Sequence, residues 1–408
     1  MGNMTSWYPE AYALLMPYAT RSMHDADSHI YEDFDWLAPY LDAATNAKVP
    51  RLWAEANESQ TVGIDERMAM SKHADPLYRA EDESQIMLRK NFNATGSWIR
   101  EDRPQALDLL GFRSQLVFDT FASAHSIAFA RHDAALAVRV AEGQRRAMID
   151  WCSVDTRLLP VVVVPLSDRA EAIRLTTEAI DAGAAAIQIS QYCPPGFSPS
   201  HIELDGVWAQ CAEAGVPVVF HVAGAGDSVM PGGYFNNGLP PVPDFHGGDT
   251  NFKSIDYLSI PYPVMQALSA LIVDGVLMRY ASLRIGCIEV GASWLPGLMR
   301  NLDSAHTAFS RNEDRLKNMD LLPSEYIQRQ VRATPYPHEA TGWTIQNTGP
   351  DVCLFSSDFP HVEGGRNPIA RFERSMNAAG VSDEDKQRFY EDNYVDLLGP
   401  VLARRQLI

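Results

Sequence analysis

The chain has 408 residues, 46% of them hydrophobic and 21% charged, the make-up of an ordinary globular protein. That length suits one large α/β barrel or two to three smaller domains. A net charge of −18 argues against a nucleic-acid surface and, as a solvated acidic exterior, points to no particular substrate.

Cys152, Cys193, Cys211, Cys287 and Cys353 are scattered, odd in number and form no C-x-x-C. Neither a disulfide framework nor a thiolate zinc site is expected, and a reducing cytoplasm fits. Residues 1–20 lack the basic start of a signal peptide, and Pro9 and Glu10 interrupt them. No apolar run approaches the ~20 residues of a membrane span.

Residues 1–22 read as an N-terminal arm with a short aromatic helix, Glu10 to Tyr18, packed on the barrel or on a partner. A first strand covers 24–30. Residues 31–110 are polar and helical in patches, with Trp36, Leu37 and Tyr40 on one face. They are too long for a connection, so they read as a helical insertion over one end of the fold. From Gly111 strands alternate with helices. Strands are expected at 114–118, 158–164, 185–190, 217–222, 283–290, 331–336 and 351–357, with helices at 121–150, from Ser167-Asp168 to Ala182, at 204–214, at 263–280 and from Trp294. Residues 223–262, rich in Gly, Pro, Asn and Asp, read as a long loop after strand five. A last helix, 382–398, opens with Ser382 and Asp385 in capping-box spacing.

Eight strands alternating with helices indicate a parallel sheet closed as a (β/α)₈ TIM-type barrel. The barrel spans 23–400, with 401–408 as a tail. The runner-up, an open doubly wound sheet, lacks the Gly-rich phosphate loop expected after an early strand.

In such barrels the chemistry sits at the C-terminal strand ends. Asp27 and His29 are two apart and share one face of strand one. His221 ends strand five, Glu289 strand six and Asp358 strand eight, with His361 three residues on. Carboxylates and imidazoles meeting at one mouth suit Zn, Mn or Fe.

Asp27-Ser28-His29, Val219-Phe220-His221, Ile288-Glu289-Val290-Gly291-Ala292-Ser293-Trp294-Leu295-Pro296 and Ser356-Ser357-Asp358-Phe359-Pro360-His361, in that order, resemble the amidohydrolase-related family. This branch of the amidohydrolase superfamily includes aminocarboxymuconate semialdehyde decarboxylase and γ-resorcylate decarboxylase. The resemblance covers about 23–400 without 31–110. It implies that Asp27, His29, His221 and Asp358 take metal-ligand positions. No lysine lies on strand four, which removes the bridge of the superfamily's two-zinc hydrolases. Decarboxylase relatives carry a catalytic His where Glu289 stands and usually an aromatic where His361 stands. Both departures add metal ligands and resemble the family's dinuclear hydroxylase offshoot.

Three readings follow. The favoured one is an O₂-dependent hydroxylase with two ions, Fe or Fe with Mn, to which Glu289 and His361 are ligands. The second is a hydrolase or non-oxidative decarboxylase with a single Zn or Mn, in which Glu289 moves the proton. The third is a non-catalytic subunit that supports an active paralogue. Glu32 and Glu363 read as carboxylates supporting the ligands or lying at the surface. His246 reads as a solvated loop histidine, and Trp294 as core or pocket wall. The expected substrate is a small carboxylate, with neither nucleic acid nor membrane as partner. The chain is expected to form a homo-oligomer or to pair with a paralogue.

Overall fold

A computed structural model of the chain describes residues 18–33, 35–50, 71–81, 85–222, 230–240 and 254–408. The expected Glu10–Tyr18 helix lies outside these, except for Tyr18, and so does His246.

Seven parallel strands pair in sequence order: β1 (Asp25–Ile30), β2 (Gln115–Asp119), β3 (Leu158–Val163), β4 (Ala186–Gln188), β5 (Val218–His221), β6 (Ile285–Ile288) and β7 (Val331–Ala333). All their residues are buried, as in strands covered on one side by helices and on the other by the barrel interior. Register places His29 beside Phe118 and His221 beside Ile288, so the chemistry-bearing ends line up.

The eighth position is filled, though not by the regular strand expected at 351–357. The Ala333 amide donates to the Val352 carbonyl (2.8 Å), and that of Leu354 to the Ala333 carbonyl (3.0 Å). On the other edge, Ala26 donates to Phe355 (3.2 Å), Asp358 to Asp27 (2.9 Å) and His29 to Phe359 (2.7 Å). The segment thus bonds to both β7 and β1 and closes the barrel. Its ladder is irregular because Asp25, buried in β1, takes the Ser357 amide (2.7 Å) and hydroxyl (2.6 Å) on its carboxylate. The chain then turns through a positive φ of 51° at Asp358.

Other departures are local. The helix expected at 121–150 is two, Ala122–Phe129 and Ala134–Cys152, because the Asp133 carboxylate accepts from the Leu136 amide and starts the second. The helix expected at 263–280 is broken at Gly275, whose φ of +78° ends Pro261–Val273 before Val276–Arg279. The expected 223–262 loop contains a short helix, Ser254–Ser259. The Ser382 hydroxyl oxygen accepts from the Asp385 amide as the spacing predicts, and the helical run it opens continues to Arg404. Among the described residues no helix is long and apolar enough to cross a membrane.

The 31–110 region is tied into the barrel by Arg103, which is fully buried. Its guanidinium donates to the His29 carbonyl (2.9 Å), the Gly96 carbonyl (3.1 Å) and the Gln115 side chain (3.1 Å). Gln115 in turn donates to Asp25 (2.8 Å). A polar lattice therefore lies directly beneath His29.

Candidate metal centre

The barrel brings all six candidate ligands together, each at most 9% exposed. Their donor atoms form two converging groups: Asp27, His29, His221 and Glu289, and His29, Glu289, Asp358 and His361. His29 and Glu289 belong to both. Asp358 joins Glu289 and His361 in the second group, whereas the family resemblance grouped it with Asp27 and His221.

The hydrogen bonds fix how the rings are oriented. His29 Nδ1 lies 3.3 Å from the Asp119 carbonyl and His221 Nδ1 2.8 Å from the Val222 carbonyl. A carbonyl only accepts, so each Nδ1 carries a hydrogen and each ring turns its Nε2 inward, the nitrogen that presents a lone pair when the ring is neutral. Those lone pairs meet carboxylates. His29 Nε2 is 3.2 Å from Asp27 Oδ1 and 3.8 Å from both Glu289 and Asp358. His221 Nε2 is 3.2 Å from Glu289 and 3.4 Å from Asp27. Burial, with His361 nearby, pushes His29 down to about 3, so it is neutral at pH 7.

Lone pairs facing carboxylate oxygens repel unless a cation lies among them. Asp27 Oδ2, His29 Nε2 and Asp358 Oδ1 are also buried without a hydrogen-bond partner among the described residues. A buried polar atom left so costs about 1–3 kcal/mol. A divalent ion removes both penalties at once, and oxygen with imidazole nitrogen is the donor set of manganese, iron or zinc.

His361 is held differently. The Thr120 hydroxyl donates to the Ile30 carbonyl (2.6 Å), so its oxygen accepts from His361 Nε2 (3.0 Å). His361 Nδ1 then faces Asp358 Oδ1 at 3.2 Å. Burial pushes Asp358 up to about 7, against the pull of His361. The His361 ring stacks on His29 with centroids 4.0 Å apart.

Two of the carboxylates stand on strained backbone. Glu289 and Asp358 both have a φ of 51°, a region that side chains other than Gly rarely adopt. Glu289 is pinned on both sides: its amide donates to the Thr334 hydroxyl (2.9 Å), and its carbonyl accepts from the Tyr336 hydroxyl (2.7 Å). Burial pushes Tyr336 well above its ordinary value and keeps it a neutral donor. Glu339 fixes the next turn by accepting from the Ala292 and Tyr336 amides, both at 3.0 Å. Beside Asp358 the chain folds back so tightly that a Cβ on Gly364 would lie 2.0 Å from the Ser357 carbonyl.

The remaining candidates are placed as follows. Glu32 is buried, and its oxygens accept from the amides of Thr120, Phe121 and Ala122 at 2.9–3.1 Å, which organises the loop carrying Thr120. Burial and Asp119 push Glu32 up to about 8. Glu363 joins neither ligand group but lines a small cavity with Asp27, Glu289 and Asp358. Trp294 donates from its indole to the Val290 and Gly291 carbonyls and packs on the core.

Sequence reasoning missed Arg103, Thr120, Thr334, Tyr336 and Glu339. One signal was available: Pro335-Tyr336-Pro337 locks Tyr336 in a rigid turn just past a strand end.

The chain matches the family model described as Amidohydrolase over residues 70–399. No curated protein matches it. Among solved structures it is similar to an amidohydrolase of Mycobacterium avium subsp. paratuberculosis K-10, with 20% identity and a TM-score of 0.70, covering 93% of this chain and 100% of that one. It is also similar to 5-carboxyvanillate decarboxylase of Novosphingobium aromaticivorans with bound manganese, at 18% identity, TM-score 0.60, and 94% and 99% coverage. A dihydroxybenzoic acid decarboxylase of Polaromonas sp. JS666, with manganese and the inhibitor 2-nitroresorcinol, aligns at 14% identity, TM-score 0.57, and 95% and 99% coverage. Identities this low speak for the fold.

Proposed function

We propose, from the premise that this chain belongs to the amidohydrolase family, that it removes the carboxylate of a small carboxylate-bearing molecule, using a divalent ion. The observation that carries this reading is the inward convergence of two imidazole Nε2 atoms and the carboxylates of Asp27 and Glu289 at the barrel mouth. The sequence favoured an oxygen-dependent hydroxylase. The balance moves to decarboxylation because the two neighbours described above with a named activity are decarboxylases, both holding manganese.

In this reading Asp27, His29, His221 and Glu289 hold the ion, which supplies Lewis-acid polarisation of a substrate oxygen. Loss of CO₂ leaves an electron pair on carbon that needs a proton. Asp358, 3.2 Å from His361 Nδ1, is placed on the cavity wall to give it. His361, anchored through Thr120, orients that carboxyl. Glu289, which the sequence offered both as a ligand and as the group that moves the proton, is assigned here to the ligands. The strained backbone at Glu289 and Asp358 keeps both carboxylates aimed inward.

One observation favours the second reading, a two-ion hydroxylase. The two ligand groups share Glu289, whose carboxylate has an oxygen for each of two adjacent ions, whereas His29, also in both, has one inward nitrogen and serves one of them. The two readings separate in one experiment on protein grown with manganese and iron. Metal per chain, CO₂ release and O₂ uptake are measured over a panel of hydroxybenzoates. One ion with CO₂ release supports the decarboxylase. Two ions including iron, with substrate-dependent O₂ uptake, overturn it in favour of the hydroxylase.

A further inference from the structure

Tyr336 holds the Glu289 backbone, and its own ring is held by two further aromatic side chains. One is His338, two residues on, which stacks on Tyr336 with centroids 5.5 Å apart and planes at 7°. The other, Tyr257, comes from the short helix Ser254–Ser259 in the connection between β5 and β6. Its ring lies 5.4 Å from Tyr336 and 5.3 Å from His338, tilted 46° to each. The three rings form a triangle. The Tyr257 hydroxyl and His338 Nε2 are hydrogen-bonded at 2.9 Å, which ties the helix to the turn. Burial and the Glu339 carboxylate push the Tyr257 phenol up to about 12, so it keeps its hydrogen.

The Tyr336 ring also abuts the backbone that carries Glu289. A Cβ on Gly291 would lie 3.2 Å from the ring and 2.7 Å from the Glu339 carboxylate. With no Cβ there, the ring seats against this turn and its hydroxyl reaches the Glu289 carbonyl (2.7 Å). Glu289 keeps a φ of 51°, which persists only where the surroundings over-determine it. One hydrogen bond of ordinary strength is weaker than such strain or level with it. A ring clamped between Gly291 and two aromatic neighbours holds more firmly, because its orientation is fixed before the bond forms.

We propose that Tyr257 is a positioning residue for the metal centre, clamping Tyr336 so that its hydroxyl keeps Glu289 aimed at the ion. It acts through Tyr336 and not on a ligand directly. This rests on the ligand role given to Glu289 above. It also gives the connection after β5 two ends in the site: His221 where it leaves the strand, and Tyr257 where it returns.

The test is manganese titration of the full chain followed by electron paramagnetic resonance. The signal of the free ion reads affinity and stoichiometry, and that of the bound ion reads the symmetry of its ligands. Tyr257→Leu is expected to weaken manganese about tenfold and to alter the bound-ion spectrum, with stoichiometry unchanged. Tyr257→Phe, which keeps the ring and loses the hydroxyl, is expected to cost about threefold, and His338→Phe the same. In a Tyr336→Phe background, Tyr257→Leu is expected to cost nothing further, because the clamp then has no hydroxyl to aim. Should Tyr257→Leu fail to fold, Tyr257→Phe carries the same comparison in both backgrounds. A wild-type chain that takes up no manganese removes the metal reading and this one with it. Manganese bound as tightly by the Tyr257 variants as by the wild type, or an equal loss from Tyr257→Leu with and without the Tyr336 hydroxyl, overturns the Tyr257 assignment alone.

Discussion

Strand β1 carries a buried histidine beside each end, and the two differ instructively. His24, just before the strand, and His29, near its C-terminal end, are 0% and 1% exposed. Burial pushes both down, His24 to about 4 and His29 to about 3. Each bonds through Nδ1, His24 to the Ser114 hydroxyl (2.8 Å) and His29 to the Asp119 carbonyl. Each leaves Nε2 without a hydrogen-bond partner. The difference is what lies beyond that nitrogen. His24 stacks on Tyr394 at 4.6 Å, with no carboxylate in ion-pair range among the described residues. His29 faces three. A buried histidine with a depressed pKa is therefore not by itself a site. Carboxylates aimed at its lone pair from other strand ends make it one.

The comparison is broken most sharply by removing the two rings in turn. His29→Ala is expected to abolish stoichiometric manganese binding, whereas His24→Ala keeps it at some cost in stability; metal analysis of the purified variants decides. Glu289→Gln is expected to lower metal content under either reading. His361→Phe lowers metal content if two ions are held and lowers only turnover if one is, since its Nδ1 then serves Asp358 alone.

A smaller effect is expected at Tyr336, which touches the site through the Glu289 backbone. Tyr336→Phe should weaken manganese affinity or turnover about 10- to 100-fold, the usual size for a partner that orients a ligand, with far-UV circular dichroism unchanged. Equal metal affinity and turnover in the variant would show that Glu289 holds its backbone without help.

The smallest effect on the site belongs to His24, which should act on stability alone. Its folded pKa, about 4, lies below the ordinary 6.5, so the unfolded chain binds more protons in between. Stability from the neutral ring is fully present above pH 6.5 and is lost as pH falls toward 4. His24→Gln should flatten that part of the melting temperature against pH curve and leave manganese binding at pH 7 untouched.

The site's ligands were legible because strand periodicity and barrel topology act over short sequence windows. Asp27 and His29 share a face by alternation, and buried apolar runs mark the strands whose ends carry His221 and Glu289. The closing segment looked like another strand because Val352-Cys353-Leu354-Phe355 is as apolar as the rest. Its ladder is irregular where the buried Asp25 carboxylate takes Ser357, 332 residues away. Thr334, Tyr336 and Arg103 act on backbone atoms of other segments, which leaves no local pattern. The docking of the insertion on the ligand loop, through the Asn91 amide on the Pro360 carbonyl, was hidden for the same reason: nothing in Leu88-Arg89-Lys90-Asn91-Phe92 announces it.

In the proposed centre the inward Nε2 atoms of His29 and His221, with Asp27 and Glu289, hold a divalent ion. Anomalous diffraction at the manganese edge from manganese-soaked crystals tests it most directly. A peak enclosed by those four side chains is expected, with a further peak beside Asp358 and His361 only if the hydroxylase reading holds. A fully occupied manganese elsewhere, with these four side chains left as they are, would contradict it.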